Sequence, residues 1–162
     1  MGDQSEGAAA PTPYPCSRLI VPQPKQRRIN MLYPMILMVL LTFIVGLITM
    51  KYRIANVKSG AVSLKYFKLM KGEEVPEIIT KTTRCFNNMF EVPVLFYAGC
   101  ILYISLGVDS LVGLVFAWIF VLMRYIQAYV HLTNNHLIHR MLSFWIAFFS
   151  TIGLWINLLF LQ

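Results

Sequence analysis

The sequence predicts an all-α integral membrane protein built as a four-helix bundle, and three observations lead there. The 162 residues are 57% apolar and 13% charged, with a mean hydropathy of +0.63, too apolar for an ordinary soluble domain. Four apolar runs follow one another, Met31–Met50, a second centred on Val92–Leu106, Leu111–Val130 and Met141–Leu161, each near the ~20 residues a helix needs to cross a bilayer. Fourteen Lys and Arg stand against seven Asp and Glu. They cluster beside the apolar runs and accompany no nucleic-acid reader motif, so the excess is read as membrane topology, with the lipid bilayer and no nucleic acid as partner.

Residues 1–30 form a Pro/Ala-rich segment with Pro11, Pro13, Pro15, Pro22 and Pro24, which cannot bury enough apolar surface to offset ordering and is read as a flexible tail ahead of the 31–162 membrane domain. It lacks the apolar core of a signal peptide. Glu6 stands where a myristoylation signal wants Ser or Thr, and Cys16 follows no apolar run. The first connection carries Lys51, Arg53, Lys58, Lys65, Lys68 and Lys71, against Lys25, Arg27 and Arg28 in the tail, and the second is a tight turn with Asp109 alone. The positive-inside rule then makes the first and third connections cytoplasmic and puts both termini outside.

The second run is preceded by Arg84, Asn88 and Glu91, spaced i, i+4, i+7 on one stripe of a helix that Pro93 should kink. Ionisable groups in hydrocarbon cost roughly 2.5–3.5 kcal/mol each on insertion scales, so they face the protein interior or a ligand. Further on come Arg124, Gln127, His131 and Arg140. Two readings stay open from these residues alone. The charges pair with one another inside the bundle, or they line a binding site; Arg124 could equally snorkel to the headgroups. His131, His136 and His139 are spaced H-x4-H-x2-H, which fits neither the zinc-protease helix motif nor a di-iron box, so no metal site is expected. Cys16, Cys85 and Cys100 form no CxxC pair.

The run Arg84-x-x-x-Asn88-x-x-Glu91 resembles the start of the second membrane helix in the MAPEG proteins, the membrane-associated proteins of eicosanoid and glutathione metabolism. A second match lies downstream, where Arg124, Gln127, His131 and Arg140 keep the spacing of a motif that spans the third and fourth helices in the glutathione transferases of that family. The resemblance covers about Met31 to Gln162. It implies a homotrimer with its ligand between subunits, glutathione as cosubstrate, and a transferase or peroxidase reaction on a lipophilic small molecule arriving from the bilayer. Arg140 would be catalytic, stabilising the thiolate; Arg84, Asn88, Glu91, Arg124, Gln127 and His131 would hold the peptide.

Arginine forks suit its carboxylates and Glu91 its ammonium group. His131 replaces a tyrosine of the glutathione-binding members, Ser63 falls where a further arginine is expected, and Met141 replaces the serine that follows the catalytic arginine in prostaglandin E synthase. These departures keep open an alternative, a non-catalytic scaffold or accessory subunit of a larger membrane complex. Pro93 two residues after Glu91, within Phe90–Tyr97, looks more like the bacterial branch, which favours a bacterial inner membrane over the endoplasmic reticulum.

Overall fold

A computed structural model describes residues 30–69 and 75–161. The Pro/Ala-rich tail and Lys71 therefore lie outside the described residues, apart from Asn30. All regular structure among the described residues is helical: α1 (Leu32–Lys58), α2 (Tyr66–Leu69), α3 (Glu77–Asn87), α4 (Val92–Ser105), α5 (Leu111–Leu132) and α6 (Leu137–Phe160). With α3 and α4 taken as one interrupted span over Glu77–Ser105, four segments of 22 to 29 residues are long and apolar enough to cross a membrane. At 1.5 Å per residue the three continuous helices, of 22 to 27 residues, reach about 33–41 Å, more than the ~30 Å hydrocarbon core. The expected four-helix membrane fold is thus present, with α1 running eight residues past the apolar run that announced it.

The interior is an apolar seam drawn from every span, with Met38, Leu41 and Val45 of α1 against Phe96 and Cys100 of α4, Phe120 and Val121 of α5 and Leu154 of α6. The Phe96 and Phe120 rings stack with centroids 4.3 Å apart. The outer faces keep Phe43, Leu47, Leu122 and Phe149 exposed, the surface that lipid would cover. Two hydroxyls inside this seam donate to backbone carbonyls of neighbouring helices. Thr49 Oγ1 donates to the Val45 and Thr82 carbonyls at 2.8 and 3.1 Å, tying α1 to α3, and Tyr125 donates to the Leu37 carbonyl at 2.8 Å, tying α5 to α1. The most extensive helix pair is α5 with α6.

One expectation needs sharpening. Arg84, Asn88 and Glu91 do not share the stripe of one continuous helix, because the helix stops at Asn87 and restarts at Val92. Pro93 is the cause: it sits at the start of α4, has no N–H to donate, and its ring would collide with the carbonyl four residues back, that of Met89. The chain closes α3 with tight turns, Met89 N–H to the Phe86 carbonyl and Phe90 N–H to the Asn87 carbonyl, both 3.0 Å. Pro93 therefore breaks the span and starts a new helix.

Candidate functional site

A break in a transmembrane helix leaves backbone carbonyls without their i+4 donors, and in an apolar interior each must find another partner. Arg124 answers one of them. It lies fully buried in α5, donates Nη2–H to the Asn88 carbonyl and Nη1–H to Gln127 Oε1 at 2.8 Å, and touches Met89 Sδ at 3.9 Å. One guanidinium thus ties α5 to the gap between α3 and α4. Its three acceptors, two oxygens and a sulfur, are all neutral.

On the other side of the same break lies a cavity of about 290 Å³, lined by Arg84, Asn87, Asn88, Glu91, His131 and Arg140. Three short segments meet there: the end of α3 with the break, the last turn of α5, and the start of α6. The break turns Asn87, Asn88 and Glu91 towards this cavity, although Glu91 no longer belongs to the helix that carries Arg84. A second cavity of about 110 Å³ shares Arg84, His131 and Arg140 and adds Glu77, Thr80, Lys81 and Asn135. The larger volume is at the low end for small-molecule sites, which run from ~300 Å³ upwards.

The charges around the cavity are not consumed by one another. Glu77 pairs with Lys81 at 2.9 Å, whereas Arg84, Glu91 and Arg140 enter no ion pair among the described residues, and Arg84 and Glu91 are exposed. No ion pair joins Arg84 to Glu91 among the described residues. Arg140 is held by a neutral partner, its Nη1 donating to Asn135 Oδ1 at 2.9 Å. Asn135 can do this because it occupies the left-handed region, φ 48°, in the turn between α5 and α6, a conformation Asn accepts more readily than most residues. Its own N–H closes the turn on the Val130 carbonyl at 2.8 Å.

Of the seven residues expected to form the site, five line one cavity: Arg84, Asn88, Glu91, His131 and Arg140. Arg124 and Gln127 do not line it; they pair with each other beneath the break. Sequence reasoning missed Asn87, Lys81 and Asn135. The Asn134-Asn135 pair between two apolar runs was a turn signal available in advance, whereas Asn87 faces the cavity only because the helix ends there. The three histidines do not assemble. His131 is buried at the cavity, while His136 and His139 pair with each other, centroids 4.6 Å apart, on the exposed start of α6. Cys85 and Cys100 are buried and free.

In sum, the cavity offers two guanidinium groups, one carboxylate, two amides and an imidazole at the end of a membrane bundle. That set can bind a ligand with two anionic groups and one cationic group, and can stabilise an anion at one end of it. No curated protein and no solved structure matches the chain. The MAPEG family model matches residues 31–160. The chain accordingly belongs to the MAPEG family, which includes glutathione transferases and peroxidases as well as non-catalytic members.

Proposed function

We propose that the protein is a membrane-bound, glutathione-dependent transferase or peroxidase that acts on a lipophilic electrophile reaching it from the bilayer. The observation that carries this reading is that Arg84, Glu91 and Arg140 surround one cavity without an ion-pair partner among the described residues. Charges kept at a membrane domain without a structural partner are kept for a ligand. Glutathione supplies the complement, with two carboxylates for guanidinium forks, an ammonium group for Glu91 and a thiol.

In this reading Arg84 and Asn88 hold the peptide with His131, and Arg140 stabilises the thiolate, bringing the thiol below its usual ~8.5 so that a nucleophile exists at neutral pH. With an aryl halide, the thiolate sulfur bonds to the ring carbon, the carbon–halogen bond breaks, halide leaves, and the thiol proton passes to solvent. Arg124 and Gln127 act from behind, fixing the Asn88 backbone. The assembly is a homotrimer, because Arg84 and Glu91 are exposed beside membrane-spanning helices and a neighbouring copy would cover them; native mass spectrometry in mild detergent checks it. The membrane we infer is the bacterial inner membrane, with the first and third connections cytoplasmic.

The test is calorimetry of glutathione on the detergent-solubilised protein, followed by turnover with a generic aryl halide. Binding that depends on Arg84 and Glu91, with turnover lost in Arg140→Ala, supports the enzyme. Binding without turnover for any electrophile would move the protein to the non-catalytic scaffold reading.

A further inference from the structure

The first connection contributes no residue to the two cavities at the break. α1 ends about 12 Å beyond Met50, eight residues at 1.5 Å each, and Gly60 then takes a left-handed conformation, φ 73°, that folds the chain back. The Ala61 and Val62 N–H groups both donate to the Asn56 carbonyl, at 3.0 and 3.3 Å, and Val62 is buried, so the return is pinned. α2 follows at once, and its depth is fixed: the Arg53 guanidinium lies over the Phe67 ring, 5.5 Å from its centroid, while Arg53 Nη2 donates to Thr83 Oγ1 of α3 at 3.0 Å. Arg53 is only three residues, about 5 Å, past Met50. The short helix is thereby tied to α1 about one turn past the end of its apolar run, Met50.

Lys65 and Lys68 flank Phe67 at that level, and Lys58 stands just above. All three are exposed, none is in an ion pair among the described residues, and the chain from Lys51 to Leu69 contains no acidic residue. Leu64, between them, is 74% exposed. Ammonium groups around an uncovered leucine at the edge of a bilayer complement one surface, that of an anionic leaflet.

We propose that the Lys58–Lys68 segment binds anionic membrane phospholipid, with Lys58, Lys65 and Lys68 on the headgroup charge and Leu64 set into the boundary below it. Arg53 takes no part in this contact; through Phe67 and Thr83 it holds the segment at the right depth. The inference needs the membrane fold but not the glutathione reading.

The protein is reconstituted in phosphatidylcholine vesicles containing a minor fraction of phosphatidylglycerol, and the lipid retained around it after polymer extraction is compared with the bulk. Phosphatidylglycerol should be enriched, by up to roughly fivefold for each engaged lysine, and less so in high salt. The triple variant K58Q/K65Q/K68Q should return to bulk composition, whereas the triple Lys→Arg variant should keep the enrichment. Wild-type composition equal to bulk overturns the proposal without any variant, and so does enrichment that survives in the Gln variant. Displacement of the lipid by inorganic phosphate far beyond chloride at equal ionic strength would identify a small-anion site and overturn it as well.

Discussion

The two ends of the bundle treat their polar groups in opposite ways. At the end where α4 turns into α5, Asn157 Oδ1 accepts from Tyr103 at 2.8 Å and from Ser110 at 2.7 Å. The Tyr103 hydroxyl also lies 3.1 Å from the Leu154 carbonyl, and Ser110 Oγ caps α5 by accepting from the Gly113 N–H at 3.1 Å. The Tyr103 and Ser110 hydroxyls both close on Asn157 Oδ1, around a backbone approach so close that a Cβ on Gly113 would stand 2.7 Å from the Tyr103 oxygen. At the opposite end, the break between α3 and α4 lies beside two arginines and a glutamate that line one cavity and enter no ion pair among the described residues. A closed network staples helices; an open one is available to a ligand. Three polar side chains close on one another at one end and three charged ones stay apart at the other, and the difference lies in whether they satisfy one another.

The largest effect that would separate the two is expected beneath the cavity. Arg124→Ala removes a fully buried side chain and leaves the Asn88 carbonyl and the Gln127 amide without their donor. About 3 kcal/mol of stability should be lost, seen as a drop in the thermal unfolding midpoint in detergent. Unchanged stability would show that the break does not depend on this arginine. At the stapled end, Gly113→Ala should cost roughly 1–3 kcal/mol through overpacking against Tyr103, and glutathione affinity should stay as it was; a matching loss of affinity would mean that the two ends are not independent.

Smaller effects sharpen the contrast at the open end. Glu91→Gln should weaken glutathione by something like 1–3 kcal/mol through loss of a charge-assisted hydrogen bond, with unfolding nearly unchanged because Glu91 is exposed and enters no ion pair among the described residues. Stability loss instead would mark it as a structural charge. Asn135→Gly keeps the left-handed turn available and removes only the bond to Arg140. The expected result is a loss of turnover of a few-fold with the unfolding midpoint held, measured on the same preparation.

Fold and site were legible in the sequence to different depths. Apolar runs of bilayer length marked three of the four spans, because hydrocarbon tolerates little else, and the shorter run at Val92–Leu106 marked only the α4 part of the other. The positions of Arg84, Asn88, Glu91, His131 and Arg140 were visible as charges and polar groups in the wrong solvent. What period alone could not show was the geometry between them. A continuous helix through Glu91 was expected, and Pro93 turned it into a break whose freed carbonyl at Asn88 claimed Arg124. Its bond to the Asn88 carbonyl could not be read in advance, because a buried guanidinium serving backbone and one serving a ligand have the same letter and the same spacing. Asn135 was hidden for the opposite reason, since its contribution depends on a backbone conformation in a loop.

The central claim is that the charges at the broken span are held for glutathione, and calorimetry tests it most directly. Titrated into the wild-type protein, glutathione should bind with a measurable heat, and the bound thiol should show thiolate absorbance that disappears in Arg140→Ala while the affinity is largely kept. Absence of binding to a folded parent protein, with Glu91→Gln and Arg140→Ala changing only its stability, would contradict the account.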